Sequence, residues 1–428
     1  MLRRFISFVL IACCSSVLFV SVFYHLSWRQ IQPAAFRGEG QRPTEDVSPG
    51  DEDTVLDMRP GGSANLPKHM FNEPKIDSTS PYPLGATKPA GSNYTRTLIL
   101  PRLKSEDTSW MQQELGDMIE AGLLTPAVYT VNDRKAKLHP PKNKGHEVMV
   151  YLSYIIDFYD QLPDVSIFMH AHRYAWHNNE LLDTDAAQMV RHLSPERVTR
   201  EGYMNLRCHW DPGCPTWLHP GSTKDNYDKP EEVLLAECWS ELFPMDPVPS
   251  VLAQACCAQF AVSRERILAT PKMRYIVMRD WLIRTELTDY LSGRIFEHIW
   301  QYIFTAAPVH CPSMSACYCD GYGLCFGGPE EFDHHFELKY RKTKLDEELH
   351  AWELKAKAIE QAKTMDGSLR EEAQVAVPEL GKDKELDGKI KVLKAEMERL
   401  RIEALNRGKS PKQRAVESGR EWNEGDGF

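Results

Sequence analysis

The chain lacks an excess of positive charge. Its 428 residues contain 51 Lys and Arg against 61 Asp and Glu, which gives a formal net charge of −10. A nucleic-acid-binding surface requires a basic patch or stripe. We therefore expect no nucleic-acid partner.

Residues 5–26 lack any Asp, Glu, Lys or Arg. A helix of about 20 apolar residues crosses a bilayer, whereas the apolar part of a signal peptide has about 7–15 residues and ends at a small-residue cleavage site. Arg3 and Arg4 precede the apolar run and predict a cytoplasmic N-terminus. Residues 1–28 are thus predicted to be a cytoplasmic stub and a signal-anchor transmembrane helix. The protein would be a single-pass type II membrane protein, with most of its chain in the Golgi or endoplasmic reticulum lumen.

Residues 29–96 have few apolar pairs and are rich in Pro, Gly, Ser, Asp and Glu. Such a composition cannot bury enough surface to offset the entropy of ordering, so it predicts a disordered stem. Within it, Asn93, Tyr94 and Thr95 form an acceptor for N-glycosylation. Residues 97–326 have the composition and length of a single globular core.

Residues 327–428 change to Lys, Glu, Ala and Leu, which predicts a charged helical or partly disordered tail. Apolar residues there fall at coiled-coil a and d spacing. The alternatives are self-association through these helices and a solvated charged helix. The apolar positions are Leu345, Leu349, Trp352 and Ile359, then Leu386, Ile390, Leu393, Met397 and Leu400.

Nine of the eleven cysteines follow the apolar anchor. In an oxidising lumen they are expected to form disulfides rather than zinc sites, although the sequence does not give the pairing. Because nine is odd, at least one thiol stays free or pairs between chains. Cys208 and Cys214 flank a turn, and residues 311–325, which carry four more cysteines, are predicted to be a loop.

Strand and helix patterns alternate through the globular part, which predicts a three-layer α/β domain with a mostly parallel sheet. A later strand, over residues 258–262, leads into a helix at Arg264, and a further helix is predicted over residues 292–304. The early strands are predicted over residues 97–100, 126–131 and 165–169, and the helices over residues 108–121 and 146–159.

A histidine cluster, His170, His172 and His177, follows the third predicted strand, where ligand sites of open α/β sheets form. His170 and His172 alternate along the strand and share one face. With His177 they would suit a divalent metal ion such as zinc, iron or copper as a cofactor. Protonated histidines and Arg173 would instead stabilise a diphosphate. The third alternative is a structural role, with the imidazoles bonded to loop carbonyls.

Other candidates each have a structural alternative. Asn143 and Gly145 at a helix start would hold an anion, but they also suit an ordinary turn. Asp133 would bind a nucleobase or ribose, or cap its turn. Glu297 would be a general base, or a solvated helix residue, and Arg264 would contact phosphate or make a surface ion pair.

Several phrases are similar to those of a fungal family, domain of unknown function 3431, over most of residues 97–325; they include NKGHEVMVYLSYIIDFYDQLPD, IFMHAHRYAWHNN and CCAQFAVSRERI. This resemblance implies no reaction. The chain more loosely resembles glycosyltransferases of the A-type fold. The resemblance lies in the order of its motifs: a Pro and charged loop after Leu100, then Asp133, then Asn143 and Gly145. That resemblance implies a nucleotide sugar and a glycan acceptor. Where that fold usually has Asp-x-Asp to hold a metal, this chain has His170-Ala-His172.

Two other functions compete with glycosyl transfer. His170 and His172 after a strand also suit a metal-dependent hydrolase, in which the metal lowers the pKa of bound water. Alternatively, the protein is a non-catalytic lumenal carbohydrate-binding protein that uses Trp176 and Trp210 as stacking platforms.

The predicted topology is testable at Asn93. When the full chain is expressed in a secretory host, glycosidase treatment should remove one glycan, and Asn93→Gln should lack it. The membrane-bound protein should resist alkaline carbonate extraction. A soluble product that starts after residue 26 would contradict the anchor.

Overall fold

The centre of the fold is a five-stranded sheet with the order β2-β1-β3-β6-β4. A computed structural model describes residues 80–362 and 376–428. A small second sheet pairs β5 with β7. The strands are β1 (Arg96–Arg102), β2 (Leu124–Thr130), β3 (Val165–Phe168), β4 (Tyr203–Asn205), β5 (Ala253–Gln254), β6 (Phe260–Ser263) and β7 (Val309–His310).

Four of the five central strands run in the same direction. β1 pairs in parallel with β2 and β3, whereas β6 is antiparallel to both β3 and β4. In register, Phe168 of β3 lies between Ile99 of β1 and Phe260 of β6. The predicted mixed α/β class with a mostly parallel sheet is therefore confirmed.

Helices cover both faces of the sheet because side chains alternate along each strand. Leu98 and Leu100 of β1 join one hydrophobic cluster and Ile99 joins the other. The helices are α1 (Trp110–Glu120), α2 (Val148–Phe158), α3 (Ala186–His192), α4 (Pro195–Glu201), α5 (Leu235–Leu242), α6 (Arg264–Leu268), α7 (Lys272–Arg284), α8 (Asp289–Glu297), α9 (Trp300–Thr305), α10 (Met314–Tyr322), α11 (Pro329–Ala362), α12 (Lys382–Arg407) and α13 (Pro411–Glu417).

Two predicted elements differ from the structure. The helix expected over residues 292–304 is two helices, α8 and α9, which break where the His298 ring bonds to the buried Glu231 carboxylate at 2.9 Å. The loop expected over residues 311–325 contains α10. The Ser313 hydroxyl caps its start by accepting from the Ala316 amide, and Gly323 ends it at φ +73°. These caps outweigh the loop-like composition.

The folded region extends beyond residues 97–326 at both ends. In the part predicted as stem, Tyr94 is buried and the Lys88 ammonium lies 2.7 Å from Asp164. In the tail, Phe332 and Phe336 of α11 belong to a core cluster, and α11 packs against α12. Within the described residues, no helix is both long and apolar enough to cross a membrane. The anchor predicted over residues 5–26 lies outside those residues.

Disulfides join segments that are distant in sequence. All six cysteines singled out from the sequence are bridged, and Cys238 is buried as a free thiol among the described residues. The prediction of disulfides with one thiol left over is confirmed. The bridges are Cys208–Cys317, Cys214–Cys311, Cys319–Cys325 and, between adjacent residues, Cys256–Cys257.

Removing the longest bridge should destabilise the domain strongly. Cys208–Cys317 closes a loop of 109 residues, so Cys208→Ser with Cys317→Ser should cost about 2–5 kcal/mol of unfolding free energy. Denaturant unfolding under non-reducing conditions measures this loss. Cys238→Ala, the control, should cost about 1 kcal/mol. Equal losses in both variants would contradict the assigned bridge.

Candidate functional site

A pair of histidines lies at the carboxyl end of β3. His170 Nδ1 is 2.9 Å from His177 Nε2, so one ring donates a hydrogen bond to the other. The His170 backbone N–H donates to Gln259 Oε1 at 3.1 Å, and Gln259 Nε2 donates to Asn178 Oδ1 at 2.9 Å. The Gln259 side chain, just before β6, thus ties the backbone at His170 to the loop that carries Asn178 and His177.

Burial keeps both imidazoles of this pair neutral. It lowers the pKa of His170 to about 3, and the nearby His177 and His172 lower this pKa further. Burial also lowers the pKa of His177 to about 4, with a smaller contribution from Arg207. At neutral pH the pair carries no positive charge and can offer an unprotonated ring nitrogen to a ligand, but its low pKa makes it a weak base. This state does not supply the protonated histidines that direct diphosphate stabilisation would use.

His172 connects this pair to the loop after β1. Its Nε2 lies 3.7 Å from Glu106 Oε1, and Glu106 Oε2 accepts from the Leu103 backbone N–H at 2.6 Å. Carboxyl ends of parallel strands meet at one edge of a sheet. The loops after β1 and β3 therefore converge on the same edge.

Asp133 lies after β2 at this carboxyl edge too. Its carboxylate pairs with Lys104 Nζ at 2.8 Å, across the loops that follow β1 and β2. The hydrogen bond from Lys104 is the main cause of a lowered Asp133 pKa, so the carboxylate is ionised at neutral pH. The edge thus carries the Asp133–Lys104 salt bridge near β2 and the histidine pair at β3.

Gly145 has a structural role, whereas Asn143 is exposed. The Gly145 backbone N–H donates to the Asp289 side chain, and its φ is +71°. A Cβ at Gly145 would lie 2.7 Å from Leu282 Cδ1. The amide predicted to hold an anion is therefore engaged with α8, and the glycine allows α7 to pack closely.

Glu297, at the end of α8, lies beside the adjacent cysteine pair. Its Oε1 accepts from the Cys257 backbone N–H at 3.2 Å, and its Oε2 is 3.7 Å from Arg294 Nη1. The Cys257 carbonyl in turn accepts from the Gln259 backbone N–H at 2.7 Å. Glu297 is thus connected to the histidine pair through the turn that begins β6.

Two predicted arginines have other partners. Arg173 is held by Asp185, with Nη2 at 2.8 Å, and by Glu114, with Nη1 at 2.7 Å, so it orders the histidine loop. Arg264 follows the antiparallel strand β6 and pairs with Asp164, which precedes β3. The structure therefore places Arg264 at the opposite edge of the sheet and does not bring it to His170.

Among the described residues 80–362 and 376–428, one group of three potential metal ligands has its ligand atoms within 4.8 Å of one another, namely Cys319, Cys325 and Glu417. Its two cysteines form a disulfide and offer no thiolate. His170, His172 and His177 do not form such a group, although His170 Nδ1 and His177 Nε2 lie 2.9 Å apart.

Sequence reasoning missed Gln259 and Asn178. Both are buried amides that complete the support of His170. The signal for Gln259 was a polar residue directly before the apolar strand β6, where a buried amide requires hydrogen-bond partners. Its partner lies 89 residues away in sequence, and no local pattern identifies that partner.

The chain belongs to the family described as "Protein of unknown function (DUF3431)", which matches residues 98–320. The matched region contains the histidine pair, Gln259 and Glu297. Comparison with curated proteins and with solved structures finds no match.

The neutral histidine pair predicts acid sensitivity. Since the native pKa of His177 is about 4 and its ordinary value is 6.5, the unfolded chain binds a proton in this window that the native chain does not. The native state therefore has its full stability with respect to His177 above about pH 6.5. It loses this stability as the pH falls towards 4, because the unfolded chain then binds the proton. His177→Gln should therefore remove about 2 kcal/mol of the stability difference between pH 7 and pH 5.

Denaturant unfolding at the two pH values measures this difference. His350→Gln is the matched control, since His350 has a side chain that is 70% exposed on α11. The control should keep the parent's pH dependence. An unchanged pH dependence in His177→Gln would contradict a buried neutral imidazole.

Proposed function

We propose that the protein is a type II membrane glycosyltransferase-like enzyme of the secretory pathway. It would transfer a sugar from a nucleotide sugar to a glycan or a glycosylated acceptor. The observation that carries this proposal is the neutral His170–His177 pair at the carboxyl edge of the parallel strands. This is the edge at which α/β sheets bind their ligands.

In this proposal His170 of the histidine pair is the base; burial lowers its pKa and makes it a weak base, so its fixed position carries its effect. As the acceptor oxygen bonds to the anomeric carbon of the donor sugar, the bond from that carbon to the nucleotide diphosphate breaks. The acceptor hydroxyl proton passes to the neutral His170 imidazole, and the diphosphate leaves with the bonding electron pair. His177 and Gln259 fix the position of His170, which is what a general base needs.

The two other candidate groups flank this base. Asp133, ionised after β2, is placed to accept from a ribose or nucleobase of the donor. Glu297 lies beyond the start of β6, on the side away from Asp133. We assign the donor to the Asp133 side of His170 and the acceptor to the Glu297 side. A divalent metal ion remains an alternative means of balancing the diphosphate charge.

The predicted lumenal location agrees with the covalent chemistry of the chain. Four disulfides suit an oxidising compartment. Asn93 is exposed on the folded region, where a glycan would not disturb the core. Both features support secretion, and neither identifies the sugar.

His170 is the residue whose replacement tests this function. The full chain would be purified in detergent and offered a panel of UDP-, GDP- and CMP-sugars, with and without EDTA, while nucleotide release is measured. His170→Ala should lower turnover by about 10²–10⁴-fold, the usual contribution of a general base. His170→Ala with His172→Ala should abolish turnover with little change in melting temperature.

His350→Ala controls for the loss of a histidine elsewhere. A double variant that binds every nucleotide as the parent does but melts much earlier would show that the histidines are structural. Turnover of an amide or ester that depends on added zinc, with none for nucleotide sugars, would favour the metal-dependent hydrolase. Oligosaccharide binding without turnover would favour the carbohydrate-binding alternative.

A further inference from the structure

Two aromatic side chains in the histidine loop are open to solvent. Trp176 is 62% exposed and Tyr174 is 60% exposed, although both lie within seven residues of His170. By contrast, Trp210, the other predicted stacking residue, is buried and its indole N–H donates to the Pro312 carbonyl at 2.7 Å. Trp210 is therefore part of the core, and the open aromatic surface belongs to the histidine loop.

The Trp176 indole is held in place before any ligand arrives. The Arg207 guanidinium carbon lies over its ring, 5.3 Å from the ring centroid, and Arg207 Nη1 donates to the Trp176 carbonyl at 3.3 Å. Arg207 is itself fixed by a 2.7 Å bond to the Asp211 carbonyl. A ring that is ordered in advance loses little entropy when a ligand covers it.

His177 connects the open indole to the candidate base. Its ring meets Trp176 edge-on, with centroids 5.5 Å apart at 82°, and it meets His170 at 4.7 Å. A ligand that covers Trp176 would therefore lie next to the imidazole pair. The same loop thus carries an apolar contact surface and a proton acceptor.

The chemistry of this surface suits a sugar ring. A hexopyranose has an apolar face of C–H groups, which packs on the negative face of an aromatic ring, and a rim of hydroxyls that bond to polar neighbours. The Arg207 guanidinium provides N–H donors beside the indole.

We propose that Trp176 is the platform on which a hexopyranose ring of a glycan acceptor stacks, with Tyr174 as a second exposed aromatic residue of the same loop. This inference rests on the proposed glycosyl transfer and identifies the acceptor side of the site. The stacked ring is held so that one of its hydroxyls, or a hydroxyl of the adjoining sugar, faces His170. Trp176 is a binding residue, and it takes no part in proton transfer.

The test measures oligosaccharide and nucleotide binding separately. The full chain, in a detergent without a sugar headgroup, would be titrated with mannotriose, chitotriose and cellotriose, and then with UDP and GDP, by isothermal calorimetry. Trp176→Ala should weaken the binding of the preferred oligosaccharide by about tenfold or more. Trp176→Phe, which keeps an aromatic face, should stay within about threefold of the parent.

Tyr227→Ala is the matched control, because Tyr227 is an exposed aromatic residue on another loop, 97% exposed. It should bind all oligosaccharides as the parent does, and none of the variants should change nucleotide affinity. The platform is wrong if the parent binds no oligosaccharide or if Trp176→Ala binds as tightly as the parent. If binding depends on Trp176 while no nucleotide sugar is turned over, the platform stands and the proposed transfer fails.

Discussion

The hydrogen bond from the His170 backbone N–H to Gln259 Oε1 is the contact on which the candidate site depends. A buried backbone N–H needs a partner, and beyond the end of β3 the sheet no longer provides one. The antiparallel strand β6 begins at this point, so the side chain that precedes it reaches the end of β3. Gln259 also bonds Asn178, and this second bond fixes the loop that returns His177 to His170.

Local patterns predicted the elements on which the site is built. The strand ending at Phe168 and the histidines after it were recognised because their apolar run and their order are contiguous in sequence. The sequence pattern did not predict the break between α8 and α9, because this break depends on the contact of His298 with Glu231, 67 residues away in sequence. Arg264 makes an ion pair, the structural alternative among its two predicted roles. Only the reversed direction of β6 places it at the far edge of the sheet.

The cysteines likewise have some properties that the local sequence predicts and others that depend on contacts between distant segments. Their number and spacing indicated an oxidising compartment and one unpaired thiol. The pairing required the fold, since Cys208 bonds Cys317 on a helix whose sequence has the composition of a loop. This bridge ties the segment after β4 to α10, next to Tyr318 and Tyr322 of the core. A segment predicted to be a loop is therefore covalently attached to the core.

Placing uncharged imidazoles in this core has a cost and a consequence. A buried neutral histidine avoids the desolvation of a charge, but the native state then resists protonation and loses stability in acid. A structural role would be met as well by an amide such as Gln259, which bonds its neighbours at any pH. An imidazole pair differs in presenting an unprotonated ring nitrogen at neutral pH. Next to an exposed and pre-ordered indole, an unprotonated ring nitrogen can bond the hydroxyl of a bound ligand, whereas it adds nothing to the packing of the core.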